Sequence, residues 1–457
     1  MPLDTGLVAN CAQSVIKMLL PHMKNRGKVL STKEAILGVE GTCLKAIARS
    51  TSAGYYGIKN PGVKPGKRGA FGTDEAYTLD SVESRKMIET AELQWEEMKK
   101  GTPPDNPYLI FLKQEKRSVK KVQEGKARIV KAASVDDVIN IRRVFGHTVA
   151  SIMSAHTLCG IAVGINPLGK DWDFLAKHLQ TRGKRVIAGD FAKFDQSQFG
   201  QLLRAVMDIL IQCAGHTDPE IKMIERCIVE TLAAPRCLVG DKVYQNDHGL
   251  PSGNPLTSIM NSVFVHLAFR LVWVKIMQKP NETTKECLTR FEESITLVSY
   301  GDDHLINVVD EVCDEFNQNT LIARFPELGL SYTSDDKEDL NPPDYRNLSE
   351  VTFLKRSFRW EPRYAQYLAP LDLQTLKEVC YYSDSKGSPV AVTRDNVERI
   401  FRELALHGHE TYEDVSTALE VAHNSRSVQP VVRPPFCVAI EEVMGELPQL
   451  KTFEAAI

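Results

Sequence analysis

The chain has 457 residues, of which 43% are hydrophobic and 25% charged, and its formal net charge is −3. A hydrophobic share of this size excludes a disordered chain, and the small net charge excludes any argument from overall charge for a nucleic-acid partner. Ten cysteines without a CxxC pair are typical of reduced thiols in a cytosolic compartment rather than of disulfides or a zinc site.

The first third of the chain is predicted to contain short helices, a loop and one basic strand. Residues 1–50 mix short helical patterns with turns, and a Gly, Pro and Lys-rich stretch from Gly54 to Gly72 indicates a loop. Residues 80–100 are predicted to be helical, and a basic, strand-like segment follows from Leu109 to Lys131.

The basic segment concentrates positive charge that the whole chain does not have. Eight Lys or Arg residues and only two acids lie between Lys113 and Lys131. A run of charge is usually a solvated face. Here, however, apolar residues alternate with the charges, which predicts that part of the segment is packed and rigid: Val119, Val122, Ile129 and Val130.

The middle third begins with a strand and a helix. Arg185–Ala188 is a short apolar run that leads into Gly189-Asp190, and a helix is predicted to begin after Asp195. The apolar face of this helix is formed by Phe199, Leu202, Leu203, Val206, Leu210 and Cys213.

A second helix is predicted from near Pro255 to about Met277. Its most apolar part, Ile259–Met277, also contains polar residues such as His266 and Arg270, which favours a buried helix over a membrane span. No other apolar run approaches the ~20 residues that span a bilayer, and no apolar signal core follows Met1. We therefore expect no transmembrane segment.

Two further apolar runs, Thr296–Ser299 and Leu305–Val309, are joined through Tyr300-Gly-Asp-Asp303. Glycine followed by aspartate in such a short connection favours a tight β-hairpin. Beyond about residue 363 the pattern is mostly helical. Strands flanked by helices and then a helical C-terminal region predict a mixed α/β centre with a helical appendage.

Asp190 is predicted at the end of a strand and Asp302 at the tip of the hairpin. If the two strands are neighbours in one sheet, both carboxylates project from the same edge. Mg²⁺ prefers such oxygen ligands, and a pair of metal ions serves nucleotidyl transfer in polymerases. The alternative is that Gly-Asp-Asp is an ordinary turn, because these residues are common in turns.

Seven segments in chain order resemble the motifs of the RNA-dependent RNA polymerases of the picornavirus-like superfamily of positive-strand RNA viruses, from about Ser50 to Trp360. The nearest subgroup resembled is that of the insect dicistrovirus- and iflavirus-like members. The segments are Thr51-Ser-Ala-Gly54 (motif G), Lys113-Gln-Glu-Lys-Arg117 through Gly125-Lys-Ala-Arg128 (F), Asp190-Phe-Ala-Lys-Phe-Asp195 (A), Pro251-Ser-Gly-Asn-Pro-Leu-Thr257 continuing to Asn261 (B), Tyr300-Gly-Asp-Asp303 (C), Ser334-Asp-Asp-Lys337 (D) and Phe353-Leu-Lys-Arg356 (E).

The resemblance implies a mixed α/β right-hand polymerase with fingers, a palm made of an antiparallel sheet flanked by helices, and a helical thumb. The implied segments are fingers at 1–184, palm at 185–212, a fingers insertion at 213–250, palm at 251–362 and thumb at 363–457.

The resemblance also implies the chemical roles of the acids. Asp190, Asp302 and Asp303 would be catalytic ligands of two Mg²⁺ ions, with Mn²⁺ as a substitute. Lys337 would be the general acid that protonates the departing pyrophosphate. The neighbouring Asp335 and Asp336 leave open that Lys337 is an ordinary surface ion pair.

Four residues would bind the incoming nucleotide at or near its ribose. Asp195 and Asn261 would read the ribose hydroxyls. Thr257 lies four residues before Asn261, so the two share one helix face. Ser252 would act with them, from a loop in which Gly253 permits close approach of the template. For Asn261 the alternative is a polar residue in the first helical turn.

The remaining implied contacts are with phosphates. Arg117, Lys121, Lys126 and Arg128 would line the nucleotide channel and neutralise the triphosphate. Template and primer would contact Thr51, Ser52, Lys113, Gly253, Lys355 and Arg356. The alternatives are a simple turn at Thr51-Ser52 and a solvated strand end at Lys355-Arg356.

The implied function is templated RNA synthesis from ribonucleoside triphosphates for viral genome replication and transcription. The implied partners are template and primer RNA, a genome-linked protein primer and a viral protease precursor. The implied place is the host cytoplasm, at membrane-associated replication complexes reached through partners. Two other functions remain open: a reverse transcriptase, and an inactive RNA-binding scaffold that holds RNA through phosphate contacts and base stacking.

Overall fold

A computed structural model describes residues 3–62, 66–73, 76–113, 115, 117–336, 341–379 and 388–445. Its helices are α1 (Thr5–Leu19), α2 (Thr32–Leu37), α3 (Tyr55–Lys59), α4 (Arg68–Phe71), α5 (Val82–Lys99), α6 (Val119–Gln123), α7 (Val135–Ala155), α8 (Lys170–His178), α9 (Phe194–Ser197), α10 (Gly200–Ala214), α11 (Pro219–Ala233), α12 (Thr257–Met277), α13 (Thr284–Ser294), α14 (Gln318–Arg324), α15 (Leu373–Val379), α16 (Pro389–Ala405), α17 (His409–Asn424) and α18 (Phe436–Met444).

The strands form three sheets. They are β1 (Tyr108–Leu112), β2 (Ile129–Ala132), β3 (Arg185–Phe191), β4 (Arg236–Val239), β5 (Lys242–Gln245), β6 (Ile295–Tyr300), β7 (Asp303–Val308), β8 (Tyr332–Ser334), β9 (Arg359–Glu361) and β10 (Gln366–Leu368). The strand orders are β2-β1-β4-β5, β6-β7-β3-β8 and the pair β10-β9. The sheet of order β6-β7-β3-β8 brings the predicted strands of motifs A and C side by side, which confirms the mixed α/β class.

Two compact units make up the chain. The first comprises residues 1–164, 189–304 and 312–342, and the second comprises residues 165–188, 305–311 and 343–457. Strands β3 and β7 each have residues in both units. These units do not test the five predicted segments of fingers, palm and thumb, whose boundaries stay a prediction.

Helix α12 forms the centre of the first unit. Its residues are buried on every face, from Ile259 through Val274. In the described part of the chain it is the one helix long and apolar enough to cross a membrane, and 89% of its most apolar stretch is buried inside the protein. The expected buried helix is therefore what the structure shows, and its polar residues have partners. The Arg270 guanidinium, for example, donates hydrogen bonds to Ser14 Oγ at 2.6 Å and to Glu292 Oε1 at 3.2 Å.

Helix ends follow local sequence signals. Thr283 caps α13 in a capping box, accepting from the amide of Glu286 while the Glu286 carboxylate accepts from the Thr283 amide. Helix α10 ends at Gly215, which adopts the left-handed conformation with φ +69°. The buried face of α10 contains the predicted Leu202, Leu203, Val206, Leu210 and Cys213.

The basic segment differs from the expectation. It is a hairpin of β1 and β2 with the short helix α6 between them, instead of one strand-like run. Val119 and Val122 are 72% and 64% exposed, so the prediction that they are packed is wrong. The reason is that α6 breaks the alternation of a strand and lies beyond the paired residues of the sheet.

Two adjacent acids at the start of α7 are buried together. The Asn106 side-chain amide donates to Asp136 Oδ2 at 2.9 Å and to Asp137 Oδ1 at 3.0 Å, and the Gln94 amide donates to Asp137 Oδ1 at 2.7 Å. Burial, and then the charge of Asp136, raises the pKa of Asp137 to about 8. Lys59 donates to Asn106 Oδ1 and opposes this rise only weakly. The Asp137 carboxyl is thus protonated in the folded chain near neutral pH.

This protonation predicts a pH-dependent stability of the first unit. Because the folded pKa of Asp137 is raised above the ordinary 3.8, the folded state binds more protons, and the free energy of unfolding should fall as pH rises from about 4 to about 8. Asp137→Asn should flatten this decline. Urea unfolding at pH 6 and pH 8.5 measures it, with Glu89→Gln on the exposed face of α5 as control. An equal decline in the Asp137 variant and the wild type would contradict the assignment.

Candidate active site

The acid cluster begins where β3 ends. Asp190 pairs with Thr333 and Phe191 with Tyr332 in the antiparallel ladder between β3 and β8. Phe191 packs into an aromatic cluster, with ring centroids 4.8 Å from Phe194 and 4.9 Å from Tyr332. Because side chains alternate along a strand, anchoring Phe191 in this cluster fixes the Asp190 side chain on the opposite face.

A turn separates the two acids of motif A. Lys193 adopts a left-handed conformation with φ 52° and begins α9, where its carbonyl accepts hydrogen bonds from the amides of Gln196 and Ser197. Asp195 therefore lies in the first turn of a short helix, and its carbonyl accepts from the amide of Leu250 at 2.8 Å. The predicted strand–helix junction is present.

The hairpin of motif C is held by α12. Gly301, with φ +65°, and Asp302 form the connection between β6 and β7. The Gly301 amide donates to Ser262 Oγ at 2.8 Å, and the Ser262 hydroxyl lies 2.8 Å from the Ser258 carbonyl. Ser262 is fully buried, so one hydroxyl links the hairpin tip to the core helix.

A buried histidine, His304, contacts the backbone carbonyl of Asp302. His304 Nδ1 lies 2.7 Å from the Asp302 carbonyl oxygen, and Nε2 lies 3.0 Å from the Tyr332 hydroxyl. Since a carbonyl only accepts, Nδ1 donates and Nε2 accepts from Tyr332. Burial lowers the pKa of His304 to about 4, which is consistent with this neutral tautomer.

Asp190 and Asp195 lie close enough to Asp302 to act on its charge. Desolvation raises the pKa of Asp302 above the ordinary 3.8, and the negative charges of Asp195 and Asp190 raise it further, while a hydrogen bond from its own backbone amide and the charge of Arg128 oppose the rise. A divalent cation would relieve this repulsion, and Mg²⁺ commonly binds one or two carboxylates plus substrate phosphates. The residues present therefore fit the metal, although no cage of three His, Cys, Asp or Glu side chains is formed within the described residues. Asp303 begins β7, next to this cluster.

Asp195 and Asn261 are in direct contact. The Asn261 amide donates to Asp195 Oδ1 at 2.8 Å. The spacing places Thr257 on the same helix face. Its hydroxyl, however, lies 2.9 Å from the Pro251 carbonyl oxygen and 2.8 Å from the Asn254 carbonyl oxygen. Thr257 thus closes the loop before α12 in this conformation.

That loop is tied to the basic hairpin. The Lys131 amide donates to Ser252 Oγ at 3.0 Å, and the Lys131 carbonyl accepts from the Gly253 amide at 2.9 Å. A β-carbon at Gly253 would lie inside contact distance of the Lys131 carbonyl oxygen, so only glycine fits. Ser252 and Gly253 therefore meet the end of β2.

Glu115 pairs with two of the predicted channel cations, Arg117 and Arg128, and with Lys113, which was predicted to contact template or primer. Its carboxylate lies 2.6 Å from Arg117 Nη2, 3.6 Å from Lys113 Nζ and 3.5 Å from Arg128 Nη1. Lys126 instead pairs with Glu124 at 2.8 Å, and Lys121 is exposed on α6. The charge of Arg128 lowers the pKa of Asp302, while Lys121 and Lys126 are not paired with Glu115.

The Thr51-Ser52 turn is held by a buried lysine. Lys67 Nζ donates to Thr51 Oγ1 at 2.6 Å, to the Thr51 carbonyl at 3.0 Å and to the Ser52 carbonyl at 2.7 Å. Burial lowers the pKa of Lys67 to about 8. Thr51 and Ser52 themselves are exposed, so the turn is both fixed and accessible.

The segment of motif E belongs to the second unit. Phe353 and Arg356 close a tight turn through two backbone hydrogen bonds of 2.9 Å, and Lys355 is exposed at its tip with φ 60°. The Arg356 guanidinium makes two 2.9 Å hydrogen bonds with the Glu403 carboxylate. Arg356 is thus a mostly buried ion pair, and the alternative of a solvated strand end is wrong for it. Lys337 lies outside the described residues.

Four residues around the site were not predicted: Ser262, His304, Lys67 and Gln198. Gln198 is buried and donates to Asn261 Oδ1 at 2.7 Å. Ser262 and His304 carry a weak sequence signal, since each is a polar residue inside an apolar run. Lys67 and Gln198 carry none, because their partners are distant in sequence.

The family follows from comparison with known sequences. The family model described as "Viral RNA-dependent RNA polymerase" matches residues 4–422, which is most of the chain. The chain belongs to the viral RNA-dependent RNA polymerase family. This polymerase family is the one whose motifs the acid cluster and its flanking segments resemble.

Individual relatives agree with this assignment. The replicase polyprotein of cricket paralysis virus is 28% identical over 476 residues, covering 99% of this chain and 25% of the polyprotein. That of Drosophila C virus is 30% identical, covering 90% of this chain and 24% of the polyprotein. The chain thus spans about a quarter of these relatives. A solved structure described as a Sicinivirus 3Dpol RNA-dependent RNA polymerase has a TM-score of 0.76 at 20% identity, covering 97% of this chain and 86% of that one, and shows the same fold.

The hydrogen bond between Ser262 and the hairpin tip generates a stability prediction. Ser262→Ala leaves the Gly301 amide buried without its acceptor, which costs about 1–3 kcal/mol. We expect the midpoint of urea unfolding to fall, whereas Ser258→Ala, at an exposed position one turn earlier, should leave it within about 0.5 kcal/mol. Equal midpoints for the two variants would show that the hairpin tip does not depend on Ser262.

Proposed function

We propose that this polymerase extends an RNA primer on an RNA template by two-metal nucleotidyl transfer, for replication and transcription of a viral genome. The observation that carries the proposal is the raised pKa of Asp302 beside Asp190 and Asp195, at the tip of a hairpin that α12 holds in place. Acids kept together against their own repulsion are best explained by a cation that they bind.

Asp190, Asp302 and Asp303 would hold the two Mg²⁺ ions, for which Mn²⁺ would substitute. When bound, the ions would lower the pKa of the primer 3′-hydroxyl and stabilise charge on the leaving pyrophosphate. In the reaction, the 3′-oxygen forms a bond to the α-phosphorus and the bond to pyrophosphate breaks. Lys337 is proposed to give the pyrophosphate its proton.

The basic hairpin would receive the triphosphate. Arg128 acts electrostatically on Asp302. The Glu115 carboxylate pairs with Arg128 and also with Arg117 and Lys113. Guanidinium groups suit phosphate oxygens because they donate paired hydrogen bonds. Lys121 and Lys126 are proposed as additional, more exposed phosphate contacts. Glu115 would keep the cations oriented before the substrate arrives.

The sugar would be read by Asp195 and Asn261. Their contact of 2.8 Å places an acid and an amide side by side next to the metal acids. A ribose 2′-hydroxyl is both donor and acceptor and can bond to such a pair. A reverse transcriptase would place a bulky group there. Ser252 and Thr257 would complete the nucleotide site when the loop before α12 rearranges.

RNA itself would contact more distant segments. Thr51, Ser52 and Gly253 are proposed to guide the template, and Lys113, Lys355 and Arg356 to hold template or primer phosphates. For Arg356, the ion pair with Glu403 suggests that it supports the turn that presents Lys355. A genome-linked protein primer, a protease precursor and a location at cytoplasmic replication complexes complete the proposal.

One prediction of the proposed function concerns the acids that would bind the metal ions. Asp302→Asn keeps the shape of the side chain but removes its charge, so extension of an RNA primer with ribonucleotides should fall by about 10³-fold or more. Asp314→Asn, on a partly exposed acid outside the site, should retain wild-type rates. Gel-resolved extension with Mg²⁺ and with Mn²⁺ measures both. Wild-type rates in Asp302→Asn would overturn the proposed catalytic centre, and RNA binding without extension by the wild type would favour the scaffold.

The second prediction concerns the sugar. Asn261→Ala removes one hydrogen bond to a charged group, worth about 1.5–3 kcal/mol, so the preference for ribo- over deoxyribonucleotides should fall by about tenfold or more. Single-nucleotide incorporation of CTP and dCTP gives the ratio. A variant that loses both incorporations equally would contradict the sugar-reading role of Asn261.

A further inference from the structure

Gln198 lies directly behind the pair that is proposed to read the sugar. Its side chain is fully buried, and its Nε2 donates to Asn261 Oδ1 at 2.7 Å. Its backbone carbonyl accepts from the Gly249 amide at 2.7 Å, at the start of the loop that precedes α12. Gln198 is therefore fixed at both its backbone and its side chain.

The contact completes the hydrogen bonding of the Asn261 amide. An asparagine side chain has a donor end and an acceptor end that are nearly equal in shape. The Asp195 carboxylate only accepts, so the Asn261 nitrogen faces Asp195 at 2.8 Å, and the Asn261 oxygen then needs a donor, which Gln198 supplies at 2.7 Å. With the amide reversed, the Asn261 oxygen would face a carboxylate, and that would be repulsive.

Packing alone does not account for glutamine at this position. Gln198 Oε1 is buried and has no hydrogen-bond partner among the described residues. An apolar side chain of similar volume, such as methionine, would fill the same space without burying an unpaired oxygen. A polar group retained at such a cost is typical of a site where it orients a functional neighbour.

We propose that Gln198 is a positioning residue that determines sugar specificity by holding the Asn261 amide nitrogen toward Asp195. This inference rests on the proposed polymerase function and adds a residue to it. Gln198 acts through Asn261 and does not touch the nucleotide. It should therefore affect discrimination at the 2′-position more than the rate of the chemical step.

The test compares two substitutions of matched size. Gln198→Met leaves the buried Asn261 oxygen without its donor, so the Asn261 side chain is held less firmly against Asp195. Gln198→Glu replaces the donor with a carboxylate, which attracts the Asn261 nitrogen away from Asp195. The control is Gln196→Met, because Gln196 is the same residue type two positions earlier but has an exposed side chain. Thermal unfolding midpoints report whether each variant is folded.

The readout is the ratio of incorporation efficiencies for CTP and dCTP on an RNA primer and template. We expect Gln198→Met to lower this ratio by about five- to tenfold, Gln198→Glu to lower it further, and Gln196→Met to leave it unchanged. If a folded Gln198 variant kept the wild-type ratio of CTP to dCTP incorporation, the role proposed for Gln198 would be overturned, and the proposed polymerase function would stand. Absence of any ribonucleotide extension by the wild type would overturn the proposed function and this inference together.

Discussion

Two adjacent side chains at the start of α12 hold the two halves of the acid cluster. Asn261 donates to Asp195 on the motif A side, and Ser262 accepts from Gly301 at the tip of the hairpin. Adjacent helix positions point about 100° apart, so one rigid helix can serve both partners. Because α12 is buried on every face, neither contact can shift without moving the core of the first unit. The position of the carboxylates therefore depends on this helix.

That dependence matters because the cluster opposes its own formation. Asp302 is exposed at the hairpin tip but lies beside Asp190 and Asp195, and their like charges raise its pKa and oppose its ionisation. The surrounding structure offsets this with apolar packing around Phe191 and with the neutral His304 beneath the Asp302 carbonyl. The result is a group of acids whose mutual repulsion is offset by the packing and hydrogen bonds around it.

The sequence predicted the fold class, the central strands, the buried helix and the hairpin, because each has a local pattern of period, cap or turn. It also placed Asp190, Asp195 and Asp302 on elements that are neighbours in space. It did not predict the exposure of Val119, since a five-residue helix interrupts a strand pattern that was otherwise consistent. Nor did it predict Gln198 or Lys67. A hydrogen bond between residues 63 positions apart, as for Gln198 and Asn261, leaves no periodic trace in a single sequence.

Burial and a raised pKa do not by themselves identify an active site, as the two acid clusters of this chain show. Asp137 has the larger shift, yet amide groups of Asn106 and Gln94 donate to its carboxyl oxygen, and the pair with Asp136 is enclosed. Asp302 lies at a hairpin tip. Arg128, on the basic hairpin of β1 and β2, is the positively charged residue that lowers its pKa. The Asp137 carboxyl is buried and held by side-chain amides, whereas Asp302 is exposed to solvent and can exchange partners. Solvent exposure and the donors around the carboxylate oxygens therefore separate the two acid clusters more clearly than the size of a pKa shift does.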